Sequence, residues 1–243
     1  MSCMNIRPSP SLLRKVGRAI ADYHMIRPGD RVLLGLSGGK DSLSLLHTLL
    51  HLQAIAPIPF DLGVATVDPQ IAGFDPRFLQ HYIPELGLPY YYKSQAIVAR
   101  AQRNMRGDSF CAYCARMRRG ILYATAREYG YNVLALAQHL DDLAESFLMS
   151  AFHGGSLRTM KAHYENDAGD VRVIRPFVYV RERQLSDFAQ AAALPVIADN
   201  CPACFRMPSQ RQHIKQLLAT EEQGHARLFA NLLHAMRPLM ANK

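Results

Sequence analysis

The sequence predicts an α/β fold in which a parallel β-sheet carries helices on both faces and a small helical part follows it. Short apolar runs suited to buried strands alternate with segments of helical periodicity between residues 31 and 152. A Gly-Gly pair stands where the first strand passes into a helix, at a junction that needs a tight turn. Beyond residue 152 this alternation stops. Strands joined through helices imply right-handed crossovers and therefore a parallel sheet.

The individual elements follow from the apolar periodicity. An amphipathic helix behind a serine cap is predicted over residues 11–24. Strands are predicted over 31–36, 60–68, 89–93 and 131–137. Helices are predicted over 42–54, 75–86, 115–129 and 140–152. The polar segment that follows contains a last strand or hairpin arm at 171–176, and two more helices are predicted over 181–193 and 209–236.

These elements divide the chain into three predicted parts. Residues 1–27 hold the N-terminal helix, residues 28–180 form the sheet domain, and residues 181–243 form a helical region with a second pair of cysteines. No signal peptide and no apolar run of membrane-spanning length is present, so we predict a cytoplasmic protein with no membrane partner.

Charge and cysteine content narrow the class of partner. The 28 lysines and arginines exceed the 20 acidic residues, which gives a formal charge of +8 and favours a polyanion such as nucleic acid. Five cysteines in a reducing compartment argue against disulfide bonds and direct attention to metal.

The stretch Ser-Gly-Gly-Lys-Asp-Ser, residues 37–42, predicts a phosphate-binding loop at a strand-to-helix junction. It differs from the common G-x-x-x-x-G-K-[ST] loop, because Leu34 and Asp41 replace the first glycine and the final hydroxyl. Two glycines allow backbone amides to approach phosphate oxygens, two serines add hydroxyl donors, and Lys40 adds a positive charge. The alternative is a tight turn in which Asp41 and Ser42 merely cap the helix.

Two C-x-x-C pairs predict a metal site. Cys111 and Cys114 precede a basic helix, and Cys201 and Cys204 lie in the C-terminal region. By spacing alone, four thiolates favour a tetrahedral zinc site. A thioredoxin-like redox pair has less support, because no matching βαβ context frames either pair.

An acidic segment, His139-Leu-Asp-Asp-Leu-Ala-Glu145, begins at a strand end and enters a helix. Hard oxygens beside a triphosphate favour Mg²⁺, so Asp41 and Asp141 are its predicted ligands. The alternative is a solvated acidic first turn, stabilised by the helix dipole.

Together these motifs resemble a known family. Ser-Gly-Gly-Lys-Asp-Ser is similar to the PP-loop of the N-type ATP pyrophosphatases. That loop, followed in order by C-x-x-C-x-R-x-R-R-G-I-L-Y, H-x-D-D-x-x-E, V-I-R-P and C-x-x-C, resembles the tRNA 2-thiocytidine synthetases from about residue 12 to 218. The chain departs from that family at Ala137-Gln138, where the family has Gly-His.

The resemblance implies a fold, an activity and a set of site residues. The fold is the adenine nucleotide alpha hydrolase-like form of the Rossmann-like sheet. ATP adenylates the C2 oxygen of cytidine 32 in the tRNA anticodon loop, and sulfur then replaces AMP. A [4Fe–4S] cluster replaces zinc as the expected metal, with Cys111, Cys114 and Cys204 as ligands and Cys201 as the alternative to Cys204. Lys40, Asp41 and Asp142 are the implied catalytic residues, and the implied ATP-binding residues are Ser37, Gly38, Gly39, Lys40, Asp41, Ser42 and His139.

Arginines near both cysteine pairs predict the RNA-binding surface, because phosphate contacts need many cations. Arg116, Arg118, Arg119 and Arg206 are its predicted members, and Arg181, Arg183 and Arg211 lie near the second pair. The resemblance also implies a cysteine desulfurase or another sulfur donor as partner, and a homodimer. Two other hypotheses remain: the same chemistry on another tRNA position or a non-RNA carbonyl, and a non-catalytic RNA-binding protein with structural zinc.

Overall fold

The computed structural model describes residues 6–71, 73–104, 110–197 and 210–241. Six strands form one sheet in the order β3-β2-β1-β4-β6-β5. The strands are β1 Asp30–Gly35, β2 Phe60–Asp68, β3 Tyr90–Ser94, β4 Val133–Ala135, β5 His163–Glu165 and β6 Arg172–Ile174. All neighbouring strands are parallel except β5 and β6. The predicted α/β fold with a parallel sheet is confirmed, apart from the antiparallel pairing of β5 with β6.

The helices of the described residues cover both faces of this sheet and form the C-terminal part. Their bounds are α1 Pro10–Asp22, α2 Lys40–Ile55, α3 Leu79–Glu85, α4 Ile97–Asn104, α5 Phe110–Glu128, α6 Leu140–Gly154, α7 Glu182–Ala191, α8 Gln210–Gly224 and α9 Leu228–Met240. None of the helices in the described ranges has the length and hydropathy needed to span a bilayer.

Two apolar clusters lie on opposite faces of the sheet, because successive side chains of a strand point to opposite faces. In β1, Leu34 belongs to the larger cluster and Leu33 to the smaller one, and both are fully buried. Helix α2 contributes Leu43 and Leu46 to the larger cluster, and α5 contributes Leu122 to the smaller. Burial on both faces explains why β1 is an almost continuous apolar run.

Several features differ from the sequence prediction. Helix α4 was not predicted, and α5 begins at Phe110 rather than at residue 115. The short strand β5 lies in the segment expected to be a loop and forms a hairpin with β6. One predicted helix over 209–236 is two helices, which break after Gly224 because glycine is a poor helix former.

The predicted division at residues 27 and 180 stays a prediction. Helix α1 precedes the sheet and α7 to α9 follow it, but contacts cross both boundaries. Lys15 in α1 donates a hydrogen bond of 2.6 Å to Gln184 in α7. The Tyr179 hydroxyl donates one of 2.9 Å to Asp22.

Candidate nucleotide site at converging helix N-termini

The loop between β1 and α2 has the shape of an anion cradle. Gly38 has a φ of 82°, in the left-handed region that favours glycine. The Ser42 hydroxyl accepts a hydrogen bond from the Ser37 amide at 3.2 Å and donates one to the Gly39 carbonyl at 2.9 Å. Among the described residues, no side chain caps α2 at Gly39. The first amides of a helix are donors that can bind an anion.

Lys40 lies at the start of α2 between two carboxylates. Its ammonium donates hydrogen bonds of 2.9 and 3.1 Å to Asp41 and one of 3.1 Å to Glu182 at the start of α7. Burial alone would lower the pKa of Lys40, but the hydrogen bonds and charges of these two carboxylates outweigh burial and raise it. Lys40 is therefore a fixed positive charge beside the loop.

His139 joins the N-terminus of α6 to that of α2. Its Nδ1 accepts from the Asp142 amide at 3.4 Å, and Asp142 accepts from the His139 amide at 3.1 Å, which makes a capping box. The buried imidazole Nε2 lies 3.9 Å from a carboxylate oxygen of Asp41 and 3.4 Å from one of Asp142. The predicted residues Asp41, His139 and Asp142 therefore meet at one place.

Asp141 is held in place by residues at the start of α7. Arg181 donates to its two oxygens at 3.0 and 3.2 Å, and the Glu182 amide donates at 2.7 Å. Arg181 also forms two hydrogen bonds with Glu222 in α8. Both oxygens of Asp141 accept hydrogen bonds, but a carboxylate has further lone pairs that can bind a cation. The assignment of Asp41 and Asp141 as Mg²⁺ ligands stays a prediction.

The helices α2, α6 and α7 thus begin around a common point. Lys40 and Glu182 link α2 to α7, Asp141 and Glu182 link α6 to α7, and Asp41 faces His139. Each helix N-terminus carries a partial positive charge, so the three together favour a polyphosphate. Among the described residues, no group of three or more His, Cys, Asp or Glu side chains is arranged to hold a metal ion.

Gln138, where the sequence departs from the family that its motifs resemble, has a defined structural role. Its side-chain oxygen accepts a hydrogen bond of 2.9 Å from the guanidinium of the buried Arg175. Arg175 also donates to the Lys161 carbonyl at 2.6 Å and stacks over Tyr164. Gln138 therefore satisfies a buried cation beside the site.

The first cysteine pair lies in α5, at the same edge of the sheet. Cys114 is buried in the smaller apolar cluster with Val67 and Ile97, and Cys111 belongs to the helical turn before it. A buried thiol in an apolar setting, one turn from a second cysteine, fits an iron–sulfur ligand pair. Cys201, Cys204 and Arg206 lie outside the described residues.

The predicted RNA-binding arginines of α5 differ in exposure. Arg116 is exposed, whereas Arg118 and Arg119 are half-buried. The Nε of Arg118 is buried and has no hydrogen-bond partner among the described residues. Arg181 is buried in its ion pairs, so it does not belong to an exposed basic surface.

Three site residues were not predicted to touch the loop or the acidic helix. Glu182 contacts Lys40, and Arg211 and Lys215 of α8 contact α6 and α7. They lie far along the chain, and their only sequence signal is a mixed charge pattern at the start of two amphipathic helices.

Both fold and site are those of a PP-loop protein, and the family model described as the PP-loop domain matches residues 8–222. A solved U34-tRNA thiolase, NcsA from Methanococcus maripaludis with its [4Fe–4S] cluster, shares the fold with a TM-score of 0.76 at 23% identity. That comparison covers 95% of this chain and 78% of the thiolase.

Curated relatives narrow the family further. The tRNA-cytidine(32) 2-sulfurtransferase of Geobacter sulfurreducens is 39% identical over 91% of this chain and 86% of its own length. The protein of the same name from Aliivibrio salmonicida is 41% identical over 85% of this chain and 67% of its own length. The chain belongs to the family of tRNA-cytidine(32) 2-sulfurtransferases, as the motifs predicted.

Proposed function

We propose that this chain is an ATP-dependent tRNA sulfurtransferase that converts cytidine 32 of the anticodon loop to 2-thiocytidine. The observation that carries the proposal is that Asp41, His139 and Asp142 meet at the phosphate loop. The chain also matches 86% of the length of a relative named tRNA-cytidine(32) 2-sulfurtransferase. A loop that binds pyrophosphate suits a reaction in which AMP passes to the substrate.

The loop residues bind and orient ATP in this proposal. Amides at Gly38 and Gly39, with the hydroxyls of Ser37 and Ser42, surround the phosphates that will leave. Lys40 exchanges a carboxylate contact for a phosphate oxygen and offsets the charge that grows on the leaving pyrophosphate. The raised pKa of Lys40 keeps it protonated while it does so.

Asp41 and Asp142 act as the acidic part of the site. Asp41 and Asp141 would hold Mg²⁺, which when bound would neutralise charge on the triphosphate. His139 fixes Asp142 through the capping box and contributes to the ATP-binding surface.

The proposed reaction needs no nucleophile from the protein. The C2 oxygen of cytidine bonds to the α-phosphorus of ATP, and the bond to pyrophosphate breaks. Sulfide then bonds to C2, a proton is released, and AMP departs with the former C2 oxygen. The part of this chain is to orient ATP and exclude water around the adenylate.

Cys111 and Cys114, with Cys204 or Cys201, would hold the [4Fe–4S] cluster. When bound, a cluster with three thiolate ligands has an iron position open for the sulfur to be transferred. The buried setting of Cys114 supports this proposal, because it keeps water from the site.

We propose that Arg116, Arg118, Arg119 and Arg206 contact the tRNA. Near Arg100 and Met117, the carboxyl ends of β2 and β3 border a cavity of about 430 Å³ that is also lined by Gln70, Ser94 and Gln95. Phosphate contacts by arginines would position the RNA while a base is drawn out of the loop. A cysteine desulfurase or other sulfur donor, a homodimer and the cytoplasm complete the proposal.

Mass spectrometry of tRNA nucleosides tests this function. A strain that lacks the gene should lose 2-thiocytidine and regain it with the wild-type chain but not with Asp41→Ala. Asp61→Ala is the matched control, because Asp61 is an exposed residue of β2 paired only loosely with Arg31 at 3.7 Å. Undiminished 2-thiocytidine in the deletion strain would rule out the proposed substrate.

A further inference from the structure

One face of helix α8 docks on the N-termini of α6 and α7. Ile214 and Leu218 on this face are buried. The charged residues Arg211, Lys215 and Glu222 lie on the same face, because their spacings of four and seven residues are close to whole helical turns. They contact Asp142, Glu182 and Arg181, respectively.

Arg211 bridges two carboxylates of α6. Its Nη2 donates to Asp142 at 2.9 Å, and its Nε donates to Glu145 at 2.6 Å. The other oxygen of Asp142 accepts from the His139 amide at 3.1 Å. Both carboxylate oxygens of Asp142 therefore accept a hydrogen bond, and the Arg211 guanidinium donates one of the two.

The Arg211 side chain is 50% exposed, but its contact with Glu145 is not that of an ordinary surface ion pair. The Glu145 side chain is 6% exposed, so its charge depends on a partner. Two hydrogen bonds from one planar guanidinium also fix geometry better than a single flexible ammonium would.

Helix α8 is linked to the loop by sequence as well as by contact. The chain leaves the loop at Ile197, whose amide donates to the Gly38 carbonyl at 2.9 Å. It returns to the site at Arg211, so Cys201 and Cys204 lie in sequence between two points that contact the nucleotide site.

We infer that Arg211 is a positioning residue that sets the Asp142 carboxylate at the ATP site and thereby couples α8 to nucleotide binding. The inference rests on the proposed function for the identity of the nucleotide. It differs from the prediction that arginines near the second cysteine pair contact RNA.

The test compares Arg211→Ala, Arg211→Lys and the control Glu221→Gln in the holoenzyme. Glu221 lies on the same helix, exposed and 3.8 Å from His225.

Calorimetry with α,β-methylene ATP and Mg²⁺ measures nucleotide affinity, and steady-state kinetics separate KM for ATP from KM for tRNA. Arg211→Ala should weaken nucleotide binding about tenfold, as expected for one lost charge-assisted hydrogen bond. KM for tRNA should not change, Arg211→Lys should recover part of the affinity, and Glu221→Gln should behave as wild type.

A double variant separates positioning from stability. In Arg211→Ala, the buried Glu145 carboxylate loses its guanidinium, which alone lowers Tm. Adding Glu145→Gln removes that unpaired charge, so Tm should recover while nucleotide affinity stays low. Recovery of both would overturn the inference, and so would a higher KM for tRNA alone. If the wild type makes no 2-thiocytidine but Arg211→Ala still weakens nucleotide binding, the proposed function fails and the inference stands.

Discussion

The amide of Ile197 donates a hydrogen bond of 2.9 Å to the carbonyl oxygen of Gly38. The Ile197 side chain also packs against Gly38 so closely that a Cβ at Gly38 would lie 2.8 Å from Cγ1 of Ile197 and closer still to Cδ1. The segment after α7 therefore packs on the phosphate loop and shapes it from outside. Gly38 is needed for two reasons, its positive φ and this contact.

Gly38→Ala should reduce ATP affinity by at least about tenfold. A left-handed backbone costs an alanine about 1–2 kcal/mol, and the new methyl group displaces Ile197 or the loop. Equilibrium binding of an ATP analogue measures the effect. Adding Ile197→Ala should restore only part of the affinity, because it removes the clash but not the backbone strain.

The control for that experiment is Gly17→Ala in α1. Apart from its sequence neighbours and the backbone of α1 itself, no heavy atom of the described residues lies within 4 Å of a Cβ at Gly17. Alanine is also the better helix former by about 1 kcal/mol. This variant should bind ATP as wild type does and be slightly more stable. Full rescue of Gly38→Ala by Ile197→Ala would show that the backbone conformation is not limiting.

The cysteine assignments predict a distinct pattern of iron content. Cys111→Ala and Cys114→Ala should each lose the cluster and the thiolation activity, because two of three thiolate ligands come from this pair. Cys204→Ala should do the same if it is the third ligand, with Cys201→Ala retaining iron. Iron analysis after anaerobic purification checks this, with about four irons per wild-type chain expected.

Cys3→Ala provides the matched control, because Cys3 stands outside both pairs. It should retain the iron and activity of the wild type. A colourless wild-type protein with stoichiometric zinc would contradict the cluster assignment and favour the structural site that the spacing alone suggested.

A buried ion pair at the opposite edge of the sheet predicts a large stability effect. Arg172 donates to Asp30 at 2.7 Å, and both side chains are at most 9% exposed. Asp30 also accepts from the Arg27 amide and from Asn132. Asp30→Ala should therefore lower the free energy of unfolding by about 3–5 kcal/mol, since it leaves a buried guanidinium unpaired.

Urea denaturation measures this loss. The double variant Asp30→Ala/Arg172→Met should lose less than the sum of the two single variants, because it removes both charges. Asp75→Ala serves as control, since the Asp75–Arg77 pair is exposed, and it should unfold almost as wild type does. Additive losses in the double variant would mean that the pair itself is not the cause.

The sequence revealed most of the fold and the local motifs, but not the contacts that complete the site. Apolar runs identified β1, β2, β3 and β4, whereas β5 has three residues and no pattern of its own. The loop residues were recognisable because they are consecutive. Glu182 meets Lys40 across 142 positions, and Arg211 meets Asp142 across 69. Only the docking of whole helices creates such pairs, and charge patterns do not specify a partner.

His47 is a buried histidine of α2. Its Nε2 lies 2.7 Å from the Tyr82 hydroxyl, and burial lowers the pKa of His47 from 6.5 to about 4. Because the pKa of His47 is lower in the folded chain than in the unfolded chain, the unfolded chain binds more protons between pH 4 and pH 6.5. Protonation thus favours unfolding, and the contribution of His47 to stability is full above pH 6.5 and falls by about 3 kcal/mol towards pH 4.

His47→Gln should remove this part of the pH dependence, because glutamine can still hydrogen-bond Tyr82 but does not titrate. Urea denaturation at several pH values between 4 and 7 measures the difference in slope. His81→Gln, which changes an exposed histidine of α3, should keep the wild-type slope. If His47→Gln and the wild type lose stability in parallel as the pH falls, the buried imidazole is not the group that titrates.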